Sequence, residues 1–455
     1  MSYSPALLTD FYQLTMLQAY FEEQMQDTAV FSLFVRRLPE RRNYLLACGL
    51  DDVLSYLEAL RFDDEAIRYL RSLGRFSDRF LDHLKDFRFT GDVYAVAEGT
   101  PLFPHEPILE VVAPIGEGQL IETFIINQIQ LQTMLASKAA RVVDAARGRR
   151  VVDFGLRRIH GLDAGMKAAR AFAIAGVDAT SNVAAGQVYG IELSGTMAHS
   201  YVQAHEDEYD AFRAFARLYG DTVLLVDTYD TLAAVQKVVV LAEEMGPAFR
   251  VSGIRLDSGD LVELSFAARR ILNAAGLQRV TIFASGSLNE DEVARIVAAG
   301  APVDGFGVGT EMGVSRDAPA LEIIYKLVEY AGQGRLKLSP GKTILPGRKQ
   351  IFRVEHEGRA HYDVLASHGA EEHGRALLQP VMKGGKRVAP RVSLDDIRTY
   401  ARTELERLPV ALRALEPAAE PYLVKVSESL TRERLELRRA LDTSGASGAS
   451  GASGA

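Results

Sequence analysis

The sequence predicts an α/β protein: an irregular (β/α) barrel with a second α+β layered domain built from the N- and C-terminal flanks. Three observations predict this fold. Between Val151 and Met312, short β-rich runs alternate with helical stretches in which apolar residues recur at spacings of three and four, as in a parallel sheet with crossover helices. Polar residues follow the strand-like runs, as at the mouth of a barrel. The flanks lack this alternation.

The composition is that of a large soluble chain. With about 150 residues per domain as a prior, 455 residues predict two or three domains. A net charge of -8 argues against a nucleic-acid partner, since phosphate binding needs an excess of Lys and Arg. Cys48 is the single cysteine, which excludes an internal disulfide and any metal site built from several cysteines.

The sequence carries no targeting or membrane signal that we recognise. The N-terminus MSYSPALLTDFYQLTM has no basic region followed by an apolar stretch, and no segment reaches the roughly 18 uncharged apolar residues of a membrane span. We therefore expect a cytoplasmic protein without a membrane partner. The repeat TSGASGASGASGA, residues 443–455, has nothing to bury and predicts a disordered tail.

The pattern of predicted helices and strands divides the rest of the chain into three segments. Residues 1–125 mix a helix, LTDFYQLTMLQAYFEE, with strand candidates such as AVFSLFVRRL and PILEVVAP, which suggests the N-terminal part of an α+β domain. Residues 126–325 form the barrel, and residues 326–442 are expected to pack with the N-terminal part. The barrel has seven strand candidates, one fewer than a regular barrel: VVDFG, VDATSNV, SGTMAHS, TVLLVDTYD, RVSGIRLDSGD, VTIFASGS and DGFGVGT.

The segment IRLDSGDL places Arg255 and Asp257 two residues apart at a strand end. Alternate strand residues share a face, so a cation and an anion can enter one pocket. The alternative is a structural ion pair. The Gly-rich segments FASGSLNED and GFGVGTEMG, with Gly286, Gly307 and Gly309, can offer backbone N–H groups to a phosphate, or can simply form tight turns.

Other polar residues leave their roles open. Asp227 ends an apolar strand, where a carboxylate can hold Mg²⁺ together with substrate phosphates, pair with a cation or cap the next helix. Lys138 and Arg141 are three apart on one helical face, either as a solvated edge or as a phosphate clamp. His199, in GTMAHS, is either a half-buried histidine with satisfied ring nitrogens or a reactive group.

Several motifs together resemble nicotinate phosphoribosyltransferases and, more broadly, the type II phosphoribosyltransferases, which include the nicotinamide enzyme. The resemblance covers most of residues 7–353 and is carried by these motifs in order: LLTDFYQLTM, DFGLRR, GVDATSNVAAG, GTMAHS, IRLDSGDL, FGVGTEM and KLSPGKTILPGRKQ. It implies a cytoplasmic homodimer that joins nicotinate to 5-phosphoribosyl 1-diphosphate, with Mg²⁺ as cofactor. It also implies ATP as co-substrate, consumed through a phosphohistidine at His199.

The resemblance also implies roles for single residues. Tyr12 would stack on the pyridine ring from the partner subunit, with Asp10 beside it, and Phe154 would cover the opposite face of the ring. Arg157 would lie by the ring and the ribosyl diphosphate, and Arg255 near the pyridine carboxyl group. The remaining roles concern ribose, Mg²⁺ and phosphates: Asp227 and Asp257 at ribose hydroxyls or Mg²⁺, Gly286, Gly307 and Gly309 at the 5-phosphate, and Lys138 and Arg141 at the diphosphate.

One short loop bears on specificity. The nicotinamide enzyme carries an acidic residue near the pyridine substituent, whereas the matching segment here reads ATSNV, with Ser181 and Asn182 and no carboxylate. A substrate carboxylate would be repelled by an acid and tolerated by these side chains, so we expect nicotinate as the substrate. The alternatives are a nicotinamide phosphoribosyltransferase and a non-catalytic phosphoribosyl or nucleotide sensor.

Overall fold

The computed structural model describes residues 4–337 and 344–449, with side chains described as far as residue 442. The backbone contacts divide the chain into two compact units, one of the residues up to Met134 and from Ala320 onward, the other Leu135–Pro319. The sequence-based boundaries are residues 125 and 325. Residues 338–343, which belong to the motif KLSPGKTILPGRKQ, lie outside the described residues.

The second unit is built on a six-stranded parallel sheet, so the prediction of an α/β chain is confirmed. Most of its strand residues are buried, as expected where helices cover a parallel sheet. In sheet order the strands are Ala179–Thr180, Arg150–Asp153, Gly305–Val308, Thr281–Ala284, Gly253–Leu256 and Val223–Leu225.

Helices follow the strands of this sheet. Five of them begin at an Asn or Asp side chain that accepts a hydrogen bond from a backbone N–H of the first turn, which satisfies a donor that the helix itself leaves unpaired. The α-helices are Leu162–Ile174, Val183–Tyr189, His199–Gln203, Glu208–Leu218, Thr231–Met245, Leu261–Ala274, Glu290–Ala298 and Thr310–Gly313. Short 3₁₀ turns span Leu156–Arg158 and Gly246–Ala248.

One predicted strand is wrong. SGTMAHS does not join the sheet: a single bridge links Thr180 to Leu193, and the helix His199–Gln203 begins within the predicted run. The strands Ala179–Thr180 and Val223–Leu225 are consequently the two edges of the sheet. The segment therefore enters the site as a loop and a short helix.

The first unit combines both flanks of the chain in one antiparallel sheet. Thr28–Val35 pairs with Ile323–Tyr330 on one side and with Pro107–Pro114 on the other. The seven strands in sheet order are Gln333–Gly334, Ile323–Tyr330, Thr28–Val35, Pro107–Pro114, Asp92–Ala95, Gln379–Lys383 and Lys386–Arg387. A four-stranded sheet contains Arg375–Ala376, Lys349–His356, Arg359–Ser367 and Val424–Val426, and a two-stranded sheet contains Leu45–Leu46 and Pro101–Leu102.

The first unit also holds helices from both flanks: Phe11–Glu22, Leu50–Ala59, Asp64–Ser72, Asp78–Lys85, Ile115–Leu120, Leu394–Arg407 and Glu428–Ala449, with 3₁₀ turns Pro5–Leu7 and Val410–Arg413. The division between the units falls within the helix Glu122–Ala145. The last helix continues to Ala449, into the repeat for which we expected disorder, and residues 450–455 lie outside the described residues. Within the described chain, no helix is long and apolar enough to span a membrane.

Candidate active site

A cavity of about 720 Å³ opens at the carboxyl ends of the parallel strands, within the range of 300–1,000 Å³ typical of ligand sites. Nine of the predicted site residues line it: Phe154, Arg157, Ser181, His199, Arg255, Asp257, Gly286, Gly307 and Gly309. They come from six separate segments of the chain, so the parallel topology, rather than sequence proximity, brings them together.

Phe154 lines the cavity, and its ring contacts two other residues of the site, Gly307 and Arg255. A Cβ at Gly307 would lie 2.4 Å from Cε2 of Phe154, so the ring excludes any larger residue there. The guanidinium carbon of Arg255 lies 5.9 Å from the ring centroid, within cation–π distance. Gly307 therefore makes room for the aromatic wall, a reason that the sequence-based phosphate assignment did not include.

Arg255 and Asp257 form a fixed polar pair. Nη1 of Arg255 donates to Oδ1 of Asp257 and to the hydroxyl of Ser285, both at 3.3 Å, and Nη2 donates to the carbonyl of Met197 at 2.8 Å. Burial lowers the pKa of the Arg255 guanidinium, while the nearby carboxylates of Asp257 and Asp227 oppose that effect. The pair thus keeps a cation and an anion side by side in the cavity.

The turn after the strand Thr281–Ala284 is shaped by Gly286. Its φ of +90° is one that glycine adopts freely, and a Cβ there would lie 1.9 Å from the carbonyl oxygen of Asp257. Ser287 follows with a φ of +49° and also lines the cavity. Because this turn precedes the helix Glu290–Ala298, it exposes backbone N–H groups suited to an anion.

His199 begins the helix His199–Gln203, and its side chain is 41% exposed, so the ring is accessible. Nδ1 lies 3.2 Å from the hydroxyl of Thr228, and Nε2 lies 3.9 Å from Oδ2 of Asp257. When Nδ1–H donates a hydrogen bond to the hydroxyl of Thr228, Nε2 carries the free lone pair. The arrangement can present Nε2 as a nucleophile.

Asp227 does not line the cavity but binds Asp257, which does, and the adjacent Ser258. Its Oδ2 accepts hydrogen bonds from the backbone N–H of Asp257 at 3.0 Å and from the hydroxyl of Ser258 at 2.5 Å. Its Oδ1 is buried and has no hydrogen-bond partner among the described residues. Helix capping, one of the alternatives for Asp227, is wrong because Asp230 caps that helix.

Three predicted contacts require correction. Lys138 and Arg141 do not line the cavity, since both are buried and bound to Glu290: Lys138 also lies 2.8 Å from Asp317, and Nε of Arg141 lies 3.0 Å from Oε1 of Glu290. They are not the proposed diphosphate clamp in this conformation. Asn182 is buried as the cap of the helix Val183–Tyr189, so its side chain is not offered to a substrate.

Glu290 links these cations to the turn at Gly286 and Ser287, because it is the first residue of the helix that follows this turn. Burial would raise the pKa of Glu290, but Lys138 and Arg141 lower it below its ordinary value. The carboxylate is therefore charged and paired.

Asp10 and Tyr12 belong to the other unit. Oδ2 of Asp10 accepts a hydrogen bond of 2.7 Å from Thr123, and the exposed Tyr12 donates from its hydroxyl to Glu122 at 3.4 Å. Burial raises the pKa of Tyr12, as does the charge of Glu122. Their predicted role at a pyridine ring stays a prediction.

The residues of the site that the sequence did not predict include Arg158, Thr228, Ser287 and Thr310. Each of these four directly follows a predicted site residue, so position at a strand end was the available signal. Asp153 is a further residue near the site. Its buried carboxylate accepts hydrogen bonds from Thr180 Oγ1 and from the Gly155 N–H, both at 2.7 Å. Burial raises the pKa of Asp153.

Comparison with known proteins agrees with this geometry. Three family models match the chain: the nicotinate phosphoribosyltransferase N-terminal domain over residues 7–130, the nicotinate phosphoribosyltransferase family over residues 149–345 and its C-terminal domain over residues 370–434. A nicotinate phosphoribosyltransferase of Mycobacterium tuberculosis is 54% identical over 442 residues, covering 97% of this chain and 95% of the relative. One from Bacillus subtilis is 41% identical over 366 residues, covering 79% and 75%.

A solved structure agrees as well. The crystal structure of human nicotinic acid phosphoribosyltransferase superposes with a TM-score of 0.84 at 28% identity, covering 94% of this chain and 99% of the human chain. The matching models, the two bacterial relatives and the human structure point to the same group of proteins. The chain therefore belongs to the nicotinate phosphoribosyltransferase family.

Proposed function

We propose that this protein joins nicotinate to 5-phosphoribosyl 1-diphosphate, giving nicotinate mononucleotide and diphosphate, and couples that reaction to ATP hydrolysis through His199. The observation that carries the proposal is the convergence of His199, Arg255 and Asp257 on one cavity beside an anion-binding turn. Family membership supplies the reaction, and the geometry supplies a role for each side chain. The irregular barrel that we predict around this cavity belongs to the same proposal.

Nicotinate binds against the Phe154 ring. Nε of Arg255 is buried without a hydrogen-bond partner among the described residues, although both Nη atoms are engaged. A buried N–H without an acceptor is costly, so a carboxylate oxygen there would be favoured. Ser181 lines the same cavity and adds no negative charge to oppose it.

The phosphoribosyl group binds with its 5-phosphate at the turn residues Gly286 and Ser287, which line the cavity, whereas the N–H and hydroxyl of Ser285 are bonded to Leu256 and Asp257. Arg157 and Arg158 line the cavity, and their side chains make no ion pair with a described carboxylate. Two such cations suit a diphosphate. Their charge offsets the negative charge that the leaving group gains.

The transfer step requires little covalent help from the protein. The bond from the anomeric carbon to the diphosphate oxygen breaks, its electron pair leaves with diphosphate, and the pyridine nitrogen forms the new bond. Positive charge develops at the anomeric carbon, next to the carboxylate of Asp257. Holding the ring nitrogen in line with the breaking bond supplies much of the acceleration.

The residues present fit a Mg²⁺ ion. Asp257 lines the cavity, and Asp227 beside it has a buried Oδ1 without a described hydrogen-bond partner, so these two carboxylates would hold Mg²⁺ together with substrate phosphates. No group of three or more His, Cys, Asp or Glu side chains suited to a metal occurs in residues 4–337 and 344–442, so substrate oxygens would complete the shell. Bound there, Mg²⁺ would neutralise charge on the diphosphate.

His199 provides the link to ATP. In our proposal Nε2 accepts the γ-phosphoryl group, ADP leaves, and water later cleaves the P–N bond to release phosphate. Thr228 is a positioning residue, because its hydroxyl at Nδ1 orients the ring and leaves the lone pair on Nε2. The added negative charge on the ring would then be felt at Asp257, 3.9 Å from Nε2.

The working assembly we propose is a cytoplasmic homodimer, with the active site at the subunit interface and Tyr12 supplied by the partner chain. The exposed ring of Tyr12 suits that role, since 48% of the residue is accessible in the single chain.

The phosphohistidine is tested by incubating the protein with ATP labelled in the γ-phosphoryl group and measuring acid-labile protein label. His199→Ala is expected to abolish both the label and ATP hydrolysis while leaving the fold intact. His205→Ala is the matched control, because His205 lies in the same segment and bonds through Nδ1 to the carbonyl of Tyr201 at 2.9 Å. Label that persists in His199→Ala would overturn the assignment.

A further inference from the structure

A second cavity lies in the first unit and is lined by a different set of residues from the active site. Its volume is about 230 Å³, and its walls include Tyr94, Arg348, Gln350, His368 and Pro380. A water molecule occupies about 30 Å³ in the liquid, so the space holds several waters or one small ion. It is below the range of about 300–1,000 Å³ for drug-sized ligands, which disfavours a nucleotide.

Arg348 is the unusual residue of this cavity. Its guanidinium carbon lies 3.9 Å from the centroid of the Tyr94 ring, so the group is held flat against the aromatic face. Nε and Nη2 of Arg348 are both buried and have no hydrogen-bond partner among the described residues. Those two nitrogens form the edge of the guanidinium that grips carboxylates and phosphates with two parallel hydrogen bonds.

Asp92 is a carboxylate that interacts electrostatically with Arg348, but it already accepts hydrogen bonds from two other groups. Its Oδ2 lies 3.0 Å from Nζ of Lys383, and its Oδ1 accepts from the backbone N–H of Gly384 at 2.9 Å. Lys349, which also lines the cavity, is paired with Glu110 at 3.2 Å. No described carboxylate forms an ion pair with Arg348, so the charge of its guanidinium is only partly balanced by the electrostatic effect of Asp92.

Two further basic residues, Lys383 and His368, lie beside the Tyr94 ring. Nζ of Lys383 lies 5.1 Å from the Tyr94 centroid, and the His368 ring lies 6.0 Å from it. Burial lowers the pKa of His368, and the charges of Arg348 and Lys383 lower it further, against weaker opposing effects of Glu110 and Glu329. The surroundings of His368 are thus net positive.

We propose that Arg348 anchors a binding site for a small oxyanion of phosphate size in the first unit. The anion accepts two hydrogen bonds from Nε and Nη2 of Arg348, and His368 lines the same cavity. Binding satisfies the buried donors and neutralises the surplus charge. The proposal goes beyond the catalytic function and does not depend on it.

The test counts binding sites for inorganic phosphate on the full chain by equilibrium dialysis. Arg348→Met is expected to lose one phosphate per chain relative to the unaltered protein, and Arg348→Lys to bind that phosphate at least tenfold more weakly, since it keeps the charge but loses the fork. Arg335→Met is the matched control: Arg335 also lies over a tyrosine, 5.8 Å from the Tyr330 centroid, but does not line this cavity. It should leave the count unchanged.

A second measurement uses the unaltered protein and so does not depend on how a variant folds. Saturating phosphate should raise the pKa of His368, followed by NMR of its ring protons and assigned with His368→Gln, because a nearby anion favours the imidazolium. An equal phosphate count in the unaltered protein and Arg348→Met would overturn the proposal, as would a pKa of His368 that phosphate does not move.

Discussion

At the scale of single residues, the ring of Phe154 decides what can stand opposite it. Position 307 must be glycine because a Cβ would lie 2.4 Å from the ring, and this contact joins two strand ends far apart in sequence. The sequence showed a Gly-rich loop and suggested phosphate binding. Only the packed structure reveals that one of these glycines makes room for an aromatic wall.

We predict that Gly307→Ala displaces the Phe154 ring. Overpacking of this kind costs about 1–3 kcal/mol of stability. Misplacing a substrate-positioning group can reduce kcat/KM on the order of a hundredfold. Thermal unfolding and steady-state kinetics measure both effects. Gly220→Ala is the matched control, since a Cβ there meets only Arg250 at 3.6 Å, an ordinary contact. Unchanged kinetics in Gly307→Ala would contradict the role of Phe154 as the ring-binding wall.

Ser181 carries the prediction about substrate choice. Ser181→Asp places a carboxylate in the cavity and should lower the preference for nicotinate over nicotinamide by at least about tenfold, because like charges at short range repel. Ser181→Asn, of similar size but neutral, is the control. Competition between the two substrates measures the preference directly, and an unaltered preference in Ser181→Asp would refute the assignment of this loop.

At the scale of elements, the first residue of the helix Glu290–Ala298 forms ion pairs with two buried cations. Lys138 and Arg141 sit on another helix and reach Glu290 across about 150 residues of sequence. Nothing in the local pattern around either partner reveals that pairing, which is why the sequence suggested a phosphate clamp instead. The network fixes the helix that follows the anion-binding turn.

Glu290→Gln is therefore expected to destabilise the protein by about 3 kcal/mol, because it removes the buried negative charge that Lys138 and Arg141 share. Burial acts against the charged form of Glu290, but the two cations outweigh it and lower its folded pKa, so its contribution is present above the unfolded value of about 4.3 and is lost as pH falls. The difference in unfolding free energy between Glu290→Gln and the unaltered protein should shrink on acidification.

Denaturant unfolding at several pH values measures this difference. Glu292→Gln is the control, because Glu292 forms an exposed pair with Arg295 on the same helix and such pairs contribute little. A destabilisation of Glu290→Gln that is as small as that of Glu292→Gln would show that the buried network does not hold the helix.

The strand ends were predictable and the loop of His199 was not, for a physical reason. A parallel strand buried on both faces leaves a strong local pattern, so Arg255, Asp257 and the Gly286 turn could be placed at one edge of a sheet. GTMAHS is equally apolar but short, and the structure forms a helix from His199 rather than a strand. The motif suggested a role for His199, which stays a prediction, but it did not reveal the conformation of the segment.

At the scale of the whole molecule, the sheet of the first unit pairs strands more than two hundred residues apart, such as Thr28–Val35 with Ile323–Tyr330. Apolar alternation identified these segments as strands. It cannot specify which strands become neighbours, because pairing depends on the complete set of surfaces to be buried. The sequence therefore predicted the α/β class but not the order of the strands in this sheet.

The proposed dimer predicts complementation between two inactive variants. Tyr12→Ala and His199→Ala should each lose the ATP-stimulated activity, yet mixed dimers contain one complete site if Tyr12 acts from the partner chain. Random reassortment of equal amounts would restore about a quarter of full activity. Activity is measured after the two variants are mixed under exchange conditions, with each variant alone as control. No recovery despite proven subunit exchange would place Tyr12 in its own chain's site or outside any site.

The most direct test of the account is mononucleotide formation by the purified protein with 5-phosphoribosyl 1-diphosphate and Mg²⁺, offered nicotinate or nicotinamide, with and without ATP. We predict nicotinate mononucleotide as the product, formed faster with ATP, and little product from nicotinamide. Product from nicotinamide alone, or no product from either base with folded protein, would contradict the account.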